Sequence, residues 1–428
     1  MKGRAQMIKK YIYGEPFPTE AVVKDISASE DALPYFETDG EGGFVYRFSE
    51  DDVVYGLGEQ IRGINKRGWQ YVSWNYDNPN HHEDTRSLYG SHNFIIISGK
   101  QTFGVFFDYA GRMEFDIGYT KRSEMRIKAD KNDLIVYIIT GVSEKDIVKQ
   151  FRQLIGRSYI PPFWAFGYGQ SRWGYKNERD IRTVAENYKS AGIPLDSIYL
   201  DIDYMERYKD FTVDKERFPD LEKLVNDMKE QGIHLVPIID AGVKIEDGYD
   251  VYEEGVRSNY FCKNAQGGDF VGAVWPGRVH FPDFLQPEVR KWFGKKYSVL
   301  TKLGIEGFWN DMNEPAIFYT EDRLADTLAE IKKLTSGNMG INEYFTFTGM
   351  VAGLNGNKGD YDKFYHNVGG KMIKHSDVHN LYGMNMTRSA FEALQEICPE
   401  KRTLFFSRSS YIGAHRCGGI WQGDNKSW

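Results

Sequence analysis

Residues Gly304 to Phe318 read GIEGFWNDMNEPAIF, and the fold turns on how that stretch changes character halfway along. Ile305 to Trp309 is a short apolar and aromatic run of the kind that makes a buried strand, and it stops abruptly in Asn310, Asp311, Asn313, Glu314 and Pro315. Two acids therefore stand where a strand ends. A (β/α)-barrel enzyme uses an open carboxylate at such a place, because there the side chain leaves the packed interior and meets the substrate. A cluster of Asn, Asp and Pro is equally what a plain turn looks like. The balance tips toward chemistry because the arrangement recurs.

Working back from Gly304, the chain after Pro162 alternates strands with helices. WAFGYGQ (Trp164 to Gln170) reads as a strand leading into SRWGY, and a helix follows with Asn177 as cap and Ile181, Val184, Ala185 and Tyr188 on one face, ending at Gly192. IPLDSIYLDIDYM is a strand ending in Asp201 and Asp203. A second helix carries Leu221, Leu224, Val225 and Met228 to Gly232, and IHLVPIID is a strand ending in Asp240. A third helix with Val289, Trp292, Phe293 and Leu300 ends at Gly304. The helix exits Ala-Gly-Ile, Gln-Gly-Ile and Leu-Gly-Ile share one device, a Gly at a left-handed C′ position with Ile starting the next strand.

Working forward, a helix spans Thr387 to Ile397, a fifth strand reads TLFFSRSSY and a sixth GGIWQGDN. Successive βα units with acids at the strand ends make a TIM-type (β/α)8 barrel the economical fold, here lacking its last strands. A doubly wound open sheet would want a Gly-rich phosphate turn after its first strand. GYGQSRWG puts the bulky Arg172 and Trp173 there instead, which excludes it. Excursions at about 246–286, containing VGAVWPGRVHFPDF, and about 319–380 would shape the rim.

The first 140 residues follow another pattern. Runs such as FVYRF, VVYGLGE, NFIIISG, TFGVFFDY and DLIVYIITG are bounded by Gly, Asp and Asn, which predicts an antiparallel β-sandwich. The expected division is 1–142 for the sandwich, 143–160 for a linker helix capped by Ser143, and 161–428 for the barrel. Trp74 to Asn93 is a long polar excursion whose Asp77 is the candidate for reaching a neighbouring site. His81, His82, Glu83 and Asp84 hint at a metal, but adjacent histidines point apart, which favours a solvated loop.

Composition bounds the partners. Charged residues are 27% and hydrophobic ones 41%, ordinary globular values, and a net charge of −7 lacks the clustered basic surface a nucleic acid requires. Cys262, Cys398 and Cys417 are too few and scattered for a disulfide framework or zinc cluster. No run approaches the ~18 apolar residues of a membrane span, and the basic start has no apolar signal core. The expectation is a cytoplasmic protein without membrane or nucleic-acid partners. Its oligomeric state, a homo-oligomer included, is left open.

Asp311 follows an apolar strand and Trp309, and Asp424 follows another beside Trp421. Glycoside hydrolysis needs two carboxyl groups, one as nucleophile or base and one protonated as general acid. Partial desolvation by indole rings would keep such an acid protonated at neutral pH. Arg408, at the end of the fifth strand, supplies a fixed positive charge, and Asp201 is placed to accept hydrogen bonds from sugar hydroxyls. Any one of these acids alone would be read as a loop cap.

GFWNDMNEP resembles the nucleophile signature of glycoside hydrolase family 31, the retaining α-glucosidase family, and RSSYIGAHRCGGIWQGDNKSW resembles its acid/base signature. YGLGE, LDIDYM and VWPG…FPDF match in the same order, so the likeness covers nearly all of the 428 residues. The resemblance implies Asp311 as nucleophile and Asp424 as acid/base. It implies that Asp77, Asp201 and Arg408 hold sugar hydroxyls, that Ile202, Trp275, Trp309, Met312 and Trp421 wall that subsite, and that Trp173 lies toward the leaving group. It implies no metal and no organic cofactor. The chemistry would require the carboxyl groups of 311 and 424 to face each other ~5–5.5 Å apart.

Family members continue through two more barrel strands and C-terminal β-domains, and Cys417 stands where they often have a larger residue. The expectation is therefore a truncated form with open sheet edges, weakly active or inactive as it stands. The expected activity is exo-acting release of glucose from the non-reducing ends of α-1,4- or α-1,6-linked oligosaccharides, with Trp173 suggesting that α-1,6 links are accepted along with α-1,4. α-Xylosidase and transglucosylase readings differ from it by a few pocket contacts worth ~1–3 kcal/mol. A non-catalytic sugar-binding fragment is the reading from another class. A Schiff-base aldolase would need a lysine at a strand end, where the sequence offers acids, Arg and Trp.

Overall fold

Between Ile8 and Thr140 the short apolar runs pair into two five-stranded antiparallel sheets. The computed structural model describes residues 8–421. One sheet orders Ile8–Tyr13, Leu134–Thr140, Phe103–Asp108, Phe94–Ser98 and Val53–Gly56, and the other Glu37–Thr38, Gly43–Arg47, Glu124–Ala129, Met113–Ile117 and Trp69–Ser73. Alternation sets which face is buried. Met113, Phe115 and Ile117 point into the core while Glu114 between them is exposed. Phe44, Phe107, Phe115, Ile127 and Val136 from both sheets join in that one core.

Phe103–Asp108 is buried at every position because its second face is also covered. The helix Glu144–Ile155, capped by the Ser143 hydroxyl accepting from the Asp146 N–H, lies on it. Phe151 stacks on Phe94 at 3.7 Å, and Ile147 approaches Gly104 so closely that a Cβ there would stand 2.6 Å from its methyl group. Burying side chains of this size contributes about 1.5–3 kcal/mol each. The segment expected as a linker is thus a packed element of the sandwich.

By its contacts the chain divides into two units, one comprising the chain through Tyr159 with Ser376–Met384 and the chain from Arg408, the other Ile160–His375 with Asn385–Ser407. In the second unit five strands lie parallel in the order Gly169–Gln170, Ser197–Leu200, His234–Asp240, Gly307–Asp311 and Leu404–Ser407. The helices Glu178–Ser190, Leu221–Glu230 and Pro287–Lys296 connect the first four, and Leu221, Leu224, Val225 and Met228 are buried as the 3.6-residue period requires. Gly192, Gly232 and Gly304 have φ of +68°, +78° and +89°, the left-handed exits that the repeated Gly-Ile step predicts. This is the barrel-type α/β architecture, preceded by the sandwich.

Three elements differ from expectation. Phe163–Phe166 is a 3-10 turn and the first strand shrinks to Gly169–Gln170, because the Asp196 carboxylate captures the Tyr168 N–H at 2.9 Å and occupies the space beside Gly167. The third helix breaks at Tyr297, and a separate turn follows at Ser298–Thr301. The later helix begins at Tyr382, five residues before Thr387. Both excursions are structured. The first holds the hairpin Gly272–Val274/Gly277–His280, and the second holds the helices Glu321–Leu334 and Ile341–Ala352 with the hairpin Phe364–Val368/Lys371–Lys374.

Candidate active site

In the barrel-type unit Asp311 closes the strand Gly307–Asp311 and is buried. Its Oδ1 accepts the N–H of the next residue, Met312, at 2.7 Å, and Met312 takes the left-handed φ of +54° that this turn demands. Asp201 directly follows the strand Ser197–Leu200 and is held in the same way, with Oδ1 accepting the Ile202 N–H at 2.7 Å. A carboxylate clamped by its neighbour's backbone has a fixed rotamer, which is what a group held for reaction needs.

Three further contacts fix the strand that carries Asp311. Trp309 donates its indole N–H to the Leu200 carbonyl at 3.2 Å, Tyr297 donates to Asn310 Oδ1 at 2.7 Å, and Asn313 donates to the Ser407 hydroxyl at 3.0 Å. Ile202 and Met312 are buried beside the two clamped acids in sequence. Trp275, at the tip of the Gly272–His280 hairpin, is 44% exposed and packs edge-to-face on Phe318 at 4.9 Å. Trp173 is 68% exposed on the loop after Gly169–Gln170. Exposed indoles on strand-end loops suit stacking against sugar faces.

The strand-end acid Asp240 has a partner, Asp210, that nothing in the sequence points to. Asp240 stands opposite Asp311 in the parallel ladder, and its N–H donates to Asp210 Oδ1 at 2.8 Å. Both carboxyl groups are buried, and burial pushes that of Asp210 well above the usual carboxylate range. Asp240 was legible as a strand end. Asp210 sits in YKDFT, which carries no pattern that would single it out.

In the sandwich unit Arg408 Nη1 lies 3.6 Å from Asp77 Oδ1. Arg408 is buried past the end of Leu404–Ser407, its guanidinium 4.9 Å from the Tyr89 ring centroid. The excursion Trp74 to Asn93 is held by its base. The Asn75 N–H donates to Asn380 Oδ1 at 3.0 Å, its amide to the Ser409 hydroxyl at 2.7 Å, and Trp74 stacks on His379 at 3.7 Å. Gly90–Ser91 then pairs in parallel with Ser410–Tyr411. Asp77 and Arg408 are brought together by this anchoring. Trp421 is half-buried, and Asp424 lies outside the described residues.

Among the described residues, Cys262, Asp283 and His366 bring three donors together that could hold a metal ion. No helix among them is long and apolar enough to cross a membrane.

Residues 158–428 match the glycosyl hydrolases family 31 TIM-barrel domain, and residues 16–116 match the glycosyl hydrolase 31 N-terminal galactose mutarotase-like domain. "Alpha-glucosidase 2" of Bacillus thermoamyloliquefaciens is 36% identical over 395 residues, which is 92% of this chain and 46% of that protein. Among solved structures, a family 31 dextranase of Flavobacterium johnsoniae complexed with glucose superposes with a TM-score of 0.76 at 26% identity, covering 92% of this chain and 44% of the other. A family 31 alpha-glucosidase of Bacteroides thetaiotaomicron gives 0.68 at 28% identity, covering 89% and 56%. The chain spans about half the length of the curated relatives it matches. With its barrel-type unit matched through the Asp311 strand and its sandwich matched separately, the chain belongs to glycosyl hydrolase family 31.

Proposed function

We propose that this chain carries the reacting groups of an exo-acting, retaining α-glucosidase that releases glucose from the non-reducing ends of α-1,4- or α-1,6-linked oligosaccharides. The observation that carries the reading is Asp311, buried at a strand's C-terminal end with its carboxylate held by the Met312 N–H. The similarity to proteins described as alpha-glucosidases supports it.

In the proposed reaction an Asp311 oxygen attacks the anomeric carbon while Asp424 gives its proton to the leaving glycosidic oxygen. The glycosyl ester on Asp311 is then attacked by a water whose proton passes to Asp424, releasing glucose with its configuration retained. Asp201, Asp77 and Arg408 would hold hydroxyl groups, with Ile202, Trp275, Trp309, Met312 and Trp421 around the ring and Trp173 toward the leaving group. Acceptance of dextran-type linkages is favoured by the similarity to a dextranase and by the exposure of Trp173. Three scattered cysteines, too few for a disulfide framework, support a cytoplasmic setting.

Incubation with a slow fluorinated glucosyl fluoride, followed by peptide mapping, tests the reading. The label is expected on Asp311, and the α-anomer of glucose is expected first from p-nitrophenyl α-glucoside. A label on another residue, or first release of the β-anomer, would overturn it.

A further inference from the structure

We propose that Cys262, Asp283 and His366 form a structural zinc site that staples the two excursions of the barrel-type unit to each other. All three side chains are buried, and one donor atom from each lies within 4.8 Å of the others. His366 Nδ1 stands 3.6 Å from the Cys262 sulfur and is hydrogen-bonded to Asp283 Oδ1 at 2.6 Å, a contact that zinc would replace by drawing the two atoms slightly apart. Thiolate, imidazole and carboxylate are all donors that Zn2+ takes, a borderline-soft ion that in structural sites is held by four ligands. The Pro282 carbonyl oxygen, 3.8 Å from the sulfur, accepts the Phe284 N–H at 3.0 Å, so a fourth ligand would come from its second lone pair or from water.

The backbone brings these donors together from distant parts of the chain. Cys262 immediately precedes Lys263–Asn264, which pairs with the His366 strand through Lys263↔Tyr365 and Asn264↔Phe364. An isolated bridge joins Phe261 to Pro282, and the Asp283 N–H donates to the Tyr260 carbonyl at 2.9 Å. One site would therefore tie together both excursions, including the hairpin that carries Trp275.

The surrounding groups are arranged as outer partners of a metal. Asp283 Oδ2 accepts from the Asn367 N–H and from the Gln286 amide, each at 2.7 Å, which leaves Oδ1 toward His366. His366 Nε2 lies 2.8 Å from His375 Nδ1, and His375 is stacked on Phe364 at 4.1 Å. With zinc on Nδ1 the neutral His366 ring carries its proton on Nε2 and donates it to His375, the outer contact that fixes a ligating imidazole. The Cys262 thiol gives up its proton to solvent on binding. Thiolate and carboxylate then offset the charge of the ion, so that the buried site is neutral, as the cost of burying charge requires.

The test is made on the full chain, stripped with a chelator and titrated with Zn2+ and, separately, with Co2+. One zinc per chain should survive gel filtration, Tm should rise with zinc concentration, and the cobalt form should display thiolate-to-metal charge-transfer absorption. Cys262→Ser should abolish that absorption while Cys398→Ser and Cys417→Ser keep it, and His375→Gln should weaken zinc binding by about 10–100-fold. Should Cys262→Ser fail to fold, the zinc stoichiometry and cobalt spectrum of the unaltered chain decide alone. Zinc far below one per chain with no Tm shift, or absorption that survives Cys262→Ser, would overturn the proposal.

Discussion

Arg408 Nη1 stands 3.6 Å from Asp77 Oδ1, and the two side chains are almost wholly withdrawn from solvent. That separation is an ion contact rather than a hydrogen bond, so its worth lies in charge. Removing one partner of a buried pair leaves the other uncompensated, at a cost of roughly 3–5 kcal/mol, whereas replacing both is far milder. Arg408→Met is accordingly expected to lose about that much stability in urea, and Arg408→Met/Asp77→Leu less than the sum of the single changes. Additive losses would show that the two charges do not sense each other.

Asp108 gives the sandwich a pH dependence with a definite sign. Burial lifts its carboxyl from 3.8 to about 6, against the hydroxyls of Thr19 and Tyr411, which donate to Oδ1 at 2.7 and 3.0 Å and favour the ionised form. The folded state thus holds this proton more tightly than the unfolded chain. The stabilisation is full below the unfolded value and is lost as pH rises through the folded one, about 3 kcal/mol in all at roughly 1.4 kcal/mol per unit. Asp108→Asn should flatten the fall in urea stability between about pH 4 and pH 6. Tyr411→Phe removes a contact that favours the charge and should carry the fall to higher pH. Identical pH profiles for all three proteins would exclude Asp108 as the source.

What the sequence displayed and what it concealed divide along a physical line. Gly192, Gly232 and Gly304 mark their helix exits because a left-handed turn selects glycine locally, and all three are left-handed. Asp311 and Asp201 were legible because an apolar run ending in an acid is a short-range pattern, and each carboxylate holds its neighbour's N–H. The first strand is shorter than its sequence suggests because Asp196, nearly thirty residues away from Tyr168, takes the N–H the ladder would have used. Asp210 beside Asp240, and Cys262 beside His366, meet only through tertiary pairing. No window of sequence contains both members. Arg408 was placed at a strand end and lies just beyond it, where its partner Asp77 comes from a separate excursion.

Glu306 precedes the Asp311 strand and gathers Lys229 at 3.1 Å, Lys401 at 2.8 Å and His234 at 3.4 Å. The nearby His234 ring, then the Lys401 and Lys229 ammonium groups, hold its carboxyl well below the usual range, against partial burial. A depressed folded value stabilises above the unfolded pKa and is lost as pH falls through the folded one. Glu306→Gln should therefore destabilise at pH 7, and the difference from the unaltered chain should shrink in acid. Because the cluster is half open to solvent, salt should also narrow the gap. A difference equal at pH 7 and in strong acid would mean that packing, not charge, is what the substitution removes.

The Asp311–Met312 step makes the most direct test of whether the clamp matters for turnover. Met312 holds a left-handed φ of +54° with its side chain buried, and its N–H is the donor to Asp311 Oδ1 at 2.7 Å. Met312→Gly relieves backbone strain of about 1–3 kcal/mol while giving up burial worth about 1.5–3 kcal/mol. Stability should therefore change by less than about 2 kcal/mol, because the two contributions oppose each other. Glycine also frees the turn, so the carboxylate loses the fixed position that a near-attack geometry needs, and under the proposed mechanism kcat should fall at least about tenfold. Met312→Leu keeps the volume, should cost under about 1.5 kcal/mol and should retain most of kcat. A glycine variant with kcat unchanged would show that the backbone N–H holds the Asp311 carboxylate without help from the Met312 side chain.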